Sequence, residues 1–190
     1  TSGIAQRNGA VAAINAGGFY DANGTGTGRS PYGFIIHDGK FVLGQNVSDG
    51  EVNEFVGFTE GGNLIAGNYS KGELIAMGVK EGISFGPALI VNGEKMITSG
   101  DGGWGVGPRT AIGQRKDGTV LFLVIDGRQP SYSIGATLRD VQNILYEEGA
   151  YIAANLDGGS SSTLFMNGNV INKPADLLGE RMIPTAFIVK

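Results

Sequence analysis

The sequence predicts an α+β fold: a mixed, largely β-hairpin sheet with one clear crossover helix and one or two short helices. Three observations predict it. Apolar runs of strand length are repeatedly joined by Asp-Gly or Asn-Gly, the pairs that two-residue hairpin turns favour. Helical periodicity is clear once, in TLRDVQNILYEEG, where Leu138, Val141, Ile144 and Leu145 share a face. Glycine is also overused, 34 of 190 residues with no collagen-like period, which signals many turns and close backbone approaches.

Taken in order, SGIAQRN reads as a short helix closed by Gly9, and AVAAI as a strand. GFIIHDGKFV is a hairpin about Asp38-Gly39, and FVGFTEGGNLIAG is a second with a looser turn. ALIVNGEKMI turns at Asn92-Gly93, GQRKDGTVLFLV at Asp117-Gly118 and TLFMNGNVI at Asn167-Gly168. Thr137 and Asp140 make a capping box at the head of the periodic helix, and Gly149 stops it. ADLLGE has the length for one further helical turn. The strands TVLFLVIDG and AYIAANLDG flank the periodic helix, so they form a crossover unit and run parallel. Both end in Asp-Gly, at Asp126 and Asp157, on the edge of the sheet where ligands collect. As neighbours about 4.8 Å apart they would turn two carboxylates on one small molecule. A weak repeat, NGAVAAINAGGFY against EGAYIAANLDGGSS, brings Asn15, Gly17 and Gly18 to a comparable strand end.

The length suits one domain over residues 1–190, able to bury roughly 70% of its unfolded surface. A net charge of −4 argues against nucleic acid or an anionic membrane as partner. No apolar run approaches the roughly 20 residues of a membrane-spanning helix, and no signal peptide is visible at Thr1. With no cysteine there are no disulfides, thiolate metal sites or cysteine nucleophiles.

Several motif matches lose their context. GDGGWG (100–105) has the dinucleotide-binding glycine pattern, but Pro108 and a hairpin follow where a helix must begin. DANGTG (21–26) opens like a calcium-binding loop, yet Tyr32 stands where its closing glutamate belongs. The serines after Asp157 lead into a strand rather than the helix of a nucleophile elbow, and the sole histidine, His37, sits beside a turn as a solvated side chain. One histidine and no cysteine cannot build an ordinary zinc site. No cofactor is expected; a magnesium or calcium ion held by Asp126, Asp157 and backbone oxygens is the alternative.

What is left is a constellation of acids and arginines on glycine-rich turns: Asp126, Arg128, Asp157 and Arg109. Arginine forks match phosphate oxygens two bonds at a time. A carboxylic acid of raised pKa protonates a leaving oxygen while a second carboxylate serves as base or nucleophile. These residue types point to a phosphorylated or glycosidic substrate.

INAGGFY (14–20), FGPALIVNG (85–93), GPRTAIG (107–113), VIDGRQPSYSIGATL (124–138), NLDGGSSST (155–163) and GERMIPTAF (179–187) occur in the order seen in the phosphodiester glycosidase family, which the chain resembles over nearly its whole length. The resemblance implies a mixed α+β fold and hydrolysis of a sugar-1-phosphodiester bond, on an N-acetylglucosamine-like or envelope polysaccharide substrate. It implies an extracytoplasmic setting and a β-rich segment upstream of SGIAQRNGAVAAINAGG. By position, Asn15, Gly17, Gly18, Arg109, Thr110, Asp126, Arg128, Asn155, Asp157, Gly158, Gly159 and Ser161 match the family's polar and glycine positions. Ser160 departs, since the family usually carries a third glycine there, and a side chain at that point is expected either to narrow the pocket or to demand a different backbone angle. The implied roles give Arg109 and Arg128 the phosphate, with Arg181 a third candidate. Asp157 and Asp126 share acid and base or nucleophile duties, and Asn15 and Ser161 position the sugar. The competing expectation is a non-catalytic carbohydrate or phosphoglycan-binding module, or a structural envelope domain, which would tolerate loss of the acids.

Overall fold

The computed structural model describes residues 1–21 and 28–190; beyond Asp21, the DANGTG stretch lies outside the described residues. In chain order the elements are α1 (Ser2–Arg7), β1 (Ala12–Asn15), β2 (Ile35–His37), β3 (Lys40–Leu43), β4 (Val52–Thr59), β5 (Leu64–Ser70) and α2 (Lys71–Ala76). There follow β6 (Val79–Ile83), β7 (Ala88–Val91), β8 (Glu94–Lys95), β9 (Arg109–Arg115), β10 (Val120–Ile125) and α3 (Leu138–Glu147). The chain closes with β11 (Ala150–Leu156), β12 (Leu164–Met166), β13 (Asn169–Val170) and β14 (Ala186–Val189).

The hairpin turns form where the residue pairs place them. Asp38 and Gly39 (φ 50° and 72°), Asn92 and Gly93 (54° and 81°) and Asn167 and Gly168 (48° and 87°) each have both central residues in the left-handed region, the signature of a type I′ turn. The loop at Asp117-Gly118 is longer: Arg115 and Thr119 close it, and the Asp117 carboxylate accepts from Thr119 N–H at 2.9 Å.

Where the sequence predicts one mixed sheet, three sheets form and their strand pairs are antiparallel. Their orders are β13-β12-β1-β14, β10-β9-β11-β7-β8 and β3-β2-β6-β4-β5. The crossover itself needs one correction. β10 and β11 do run the same way, but β9 lies between them and is antiparallel to both. Asp126 and Asp157 therefore leave strands separated by about 10 Å, two strand spacings, instead of one.

The middle of this sheet is buried on both faces, and side-chain alternation explains how. Ala111 and Ala153 pack with Leu138, Val141 and Leu145 of α3. Ile112, Ala154 and Leu156 face the other way, into a core shared with Ile14 and Ala16 of the first sheet region and Val56, Leu64, Ala66 and Ile83 of the third. All three sheets meet in this second core.

Helix α3 starts at the predicted capping box, with Thr137 accepting from Asp140 N–H at 3.1 Å and Asp140 accepting from the Thr137 N–H and hydroxyl at 2.9 and 2.7 Å. Gly149 (φ 80°) follows its end. ADLLGE corrects the expectation of a helical turn. It is a tight turn bridged at Asp176 and Gly179, with Leu177 and Leu178 fully exposed, so no apolar face is packed that would sustain a helix. Helix α2 is absent from the sequence expectations, although Ser70 and Glu73 form a second complete capping box ahead of it.

Candidate functional site

Asn15, at the end of β1, organises the place where the strand ends converge. It is wholly buried. Its Oδ1 accepts from the Thr110 hydroxyl at 2.8 Å and from Thr163 N–H at 3.0 Å, while its Nδ2 donates to Asp157 O. Asp157 N–H donates to Ala16 O at 2.9 Å. The weak repeat thus corresponds to a real convergence: the ends of β1, β9 and β11 are clipped together, and the polar groups of Asn15 and Thr110 are committed to the clip.

Asp157 emerges from this clip half-buried. Burial pushes its carboxyl up to about 6; the Ser161 hydroxyl and Gly158 N–H exert a smaller opposing pull. Ser161 and Ser162 are buried, and their hydroxyls, like Asn155 Oδ1, have no well-aligned partner among the described residues. Asn155 Nδ2 donates to Gly86 O at 2.8 Å. After Asp157 the chain lies hard against β9. A Cβ on Gly158 would sit 2.8 Å from Pro108 O, and Gly159 N–H donates to the same oxygen at 2.9 Å. Gly159, Ser160 and Ser161 form one 3₁₀ turn, with Ser160 part-exposed.

The arginines divide in role. The Arg128 guanidinium rests on Gly159, where a Cβ would lie 3.2 Å from Nη2, and the residue is exposed with its own backbone in the left-handed region (φ 57°). A non-glycine residue held there costs of order 1–3 kcal/mol and such strain clusters at functional sites. Arg109 is buried: Nε donates to Ala136 O at 3.0 Å and Nη2 to Trp104 O and Gly105 O at 3.1 and 2.5 Å. Burial, followed by the nearby Arg128 charge, lowers its pKa, which places the two guanidinium groups within electrostatic reach of each other. Arg181 is paired with Asp21 and stacks over Phe19 at 5.2 Å.

Asp126 is held at residues 172–173, and Asn172 Nδ2, which donates to it, also donates to Ser162 O at 3.1 Å. Asp126 Oδ1 accepts from Asn172 Nδ2 and Lys173 N–H at 2.8 and 3.1 Å, and its Oδ2 from the Tyr132 hydroxyl and the same amide at 3.2 and 3.0 Å. It pins the 172–173 turn. Among the described residues no three acidic, histidine or cysteine side chains gather to hold a metal ion.

The cavity beside the clip is lined by residues the sequence does not single out. It encloses about 380 Å³ between Tyr32, Val52, Asn53, Glu54, Ser84, Phe85, Gly86 and Trp104. Gly18 lies under it, for a Cβ there would stand 2.0 Å from the Tyr32 hydroxyl and 2.9 Å from Phe85. Gly17 N–H donates to Thr185 Oγ1 at 2.9 Å. Burial, then the charge of Asp157, raises the Tyr32 pKa, so the acid lies within electrostatic reach of the cavity wall. The Glu54 carboxylate covers Gly86, 2.6 Å from where a Cβ would be. His37 is exposed and bonds Glu81 at 2.9 Å, as a solvated turn residue does.

The family model for phosphodiester glycosidases matches residues 8–190. The chain belongs to this family.

Among relatives of this chain, the SPbeta prophage-derived uncharacterized protein YomE of Bacillus subtilis (strain 168) is 31% identical over 192 residues, 97% of this chain and 29% of YomE. The N-acetylglucosamine-1-phosphodiester alpha-N-acetylglucosaminidase of Bos taurus is 31% identical over 77 residues, covering 40% of this chain and 14% of the bovine protein. The catalytic domain of the zebrafish N-acetylglucosamine-1-phosphodiester alpha-N-acetylglucosaminidase, in a structure auto-inhibited by its pro-peptide, shares the fold with a TM-score of 0.76 at 24% identity, over 100% of this chain and 66% of that one. The chain therefore spans less than a third of the lengths of YomE and the bovine protein. No helix among its described residues is long and apolar enough to cross a membrane.

Tyr32, Glu54, Phe85 and Trp104 carry no local signal of a site. FGP (85–87) stands out only as a stretch shared with the family. What reveals the others is contact across the chain, with Gly18 and Gly86 as the places where a missing Cβ makes room.

Proposed function

We propose that the chain hydrolyses the bond between the anomeric carbon of a sugar and a phosphodiester oxygen, with Asp157 as proton donor. The observation that carries this reading is a half-buried carboxyl with a pKa near 6, in electrostatic reach of a cavity wall and two residues from the glycine on which Arg128 rests. Arg128 takes the phosphate oxygens, its guanidinium being exposed and without a hydrogen bond among the described residues. Arg109 adds positive field from behind. Asp157 delivers its proton to the bridging oxygen as the anomeric C–O bond breaks. A water oxygen bonds to the anomeric carbon, and Glu54, in the cavity lining, accepts its proton. The products are the free sugar and a phosphomonoester. Asp126 is assigned the supporting task of holding the 172–173 turn.

Phosphate is a good leaving group, so the acid contributes at the lower end of the usual range, about 10²-fold. Protonated Asp157 is required, so the rate falls as pH rises through about 6. An N-acetylglucosamine-type sugar is what the bovine and zebrafish relatives are named for, and with the extracytoplasmic setting that the family resemblance implies it belongs to the same proposal. The test is sugar release from a panel of sugar 1-phosphodiesters followed against pH. A descending limb near pH 6 that disappears with the activity in Asp157→Asn supports the assignment; a pH-independent rate through that range removes Asp157 as the acid.

A further inference from the structure

The geometry points to Trp104 as the stacking wall of a pyranose-binding subsite, with Arg109 as the strut that sets it. The inference rests on the hydrolase reading for the identity of the reaction, though not for the existence of the subsite.

Trp104 is 51% exposed, yet it is not a loose surface residue. Its ring meets the edge of Phe85 at 6.1 Å and 75°, and both rings line the cavity whose Tyr32 lies within electrostatic reach of Asp157. Its backbone is fastened from below. Arg109 commits Nη2 to the carbonyls of Trp104 and Gly105, and Nε to Ala136 O at the head of α3. The loop is also seated at Gly102, where a Cβ would stand 2.7 Å from Leu138, and Gly103 N–H donates to Asp101 at 2.8 Å. A buried cation that binds three main-chain carbonyls has few donors left for a substrate. What it can determine is where the indole stands.

The ligand class follows from the cavity's chemistry. Trp104 against Phe85 gives the lining an aromatic, half-exposed part, and Asn53 and Glu54 add polar groups to it. A pyranose has that division: hydroxyls around its rim, and a face of C–H groups whose partial positive charge suits the negative face of an aromatic ring. The cavity, about 380 Å³, lies within the usual size range of small-ligand sites. The phosphate of the same substrate then falls on the Asp157 and Arg128 side, so sugar and phosphate occupy distinct parts of one site. Arg109 is a positioning residue here, acting through the indole.

Trp104 is the chain's one tryptophan, so its emission reports the subsite directly. Wild type is titrated with N-acetylglucosamine 1-phosphate and, in parallel, with inorganic phosphate. A saturable emission change with the sugar phosphate and none with phosphate is expected. In the diester assay Trp104→Ala raises KM about tenfold with kcat nearly unchanged, and Trp104→Phe restores most of the loss. Arg109→Lys shifts the emission maximum of the free protein and raises KM, and a circular dichroism melt checks that each variant is folded. If wild type releases sugar while its emission ignores the sugar phosphate, or if Trp104→Ala leaves KM unchanged, the wall is wrong and the hydrolase reading survives. An emission response without hydrolysis of any diester keeps the wall and overturns the hydrolase. Silence in both assays overturns both.

Discussion

Asp157 titrates near pH 6 in the fold and near its ordinary value of 3.8 in the unfolded chain. Below about pH 4 both states hold the proton and burial of the carboxyl carries no charge penalty. As pH rises the unfolded state ionises first, and the penalty on the fold grows until it is complete above about pH 6, of order 2–3 kcal/mol at most. Asp157→Asn, which removes the charge and keeps the shape, is therefore expected to unfold at higher denaturant than wild type at pH 7.5, with the advantage vanishing near pH 4. An advantage independent of pH would contradict the shifted carboxyl. Asn15 makes the opposite case. Asn15→Ala leaves the Thr110 hydroxyl and Thr163 amide buried without their acceptor, and equilibrium unfolding is expected to show a loss of about 2–4 kcal/mol. Both residues are legible as site candidates in the sequence, because a strand running into Asp-Gly or Asn-Ala-Gly-Gly marks a strand end. That one of them faces the substrate region while the other is committed to the clip is not legible, since the difference lies in partners 95 and 142 residues away.

At the scale of elements, the sequence speaks most clearly where the stabilising contacts are local. The type I′ pairs and the Thr137 capping box depend on residues within a few positions of each other, and they form where expected. Thr137→Ala removes the hydroxyl arm of the box and leaves only the Thr137 N–H bond to Asp140; it is expected to cost about 1 kcal/mol in chemical denaturation, with the damage felt at Ala136, the carbonyl that holds Arg109. Helix α2 escapes a reading by periodicity because six residues show too little of it, even though the Ser70 and Glu73 box is present in the sequence. The order of β10, β9 and β11 is also out of reach. A helix between two strands fixes their relative direction, but a hairpin partner can still be inserted between them, and β9 is held there by pairing with both.

Over the whole molecule, the site depends on backbones that approach too closely for side chains. Gly127 and Gly135 pack on Pro108 and Gly107, bringing the exit of β10, the entry of β9 and the head of α3 to one point; a Cβ on Gly135 (φ 104°) would lie 2.2 Å from the Gly107 carbonyl carbon. Gly135→Ala is expected to cost more than about 3 kcal/mol or to abolish folding, whereas Gly105→Ala, in open space at φ 61°, should cost about 1–2 kcal/mol in the same melts. The glycine excess that first marks the chain as turn-rich therefore has a second source, the convergence of distant segments around the acid and the two arginines. The most direct measurement of that central claim is release of free sugar from an N-acetylglucosamine 1-phosphodiester by wild type and by Asp157→Asn. The account predicts turnover by wild type and a loss of about 10²-fold or more in the variant. Equal rates in the two proteins would contradict it.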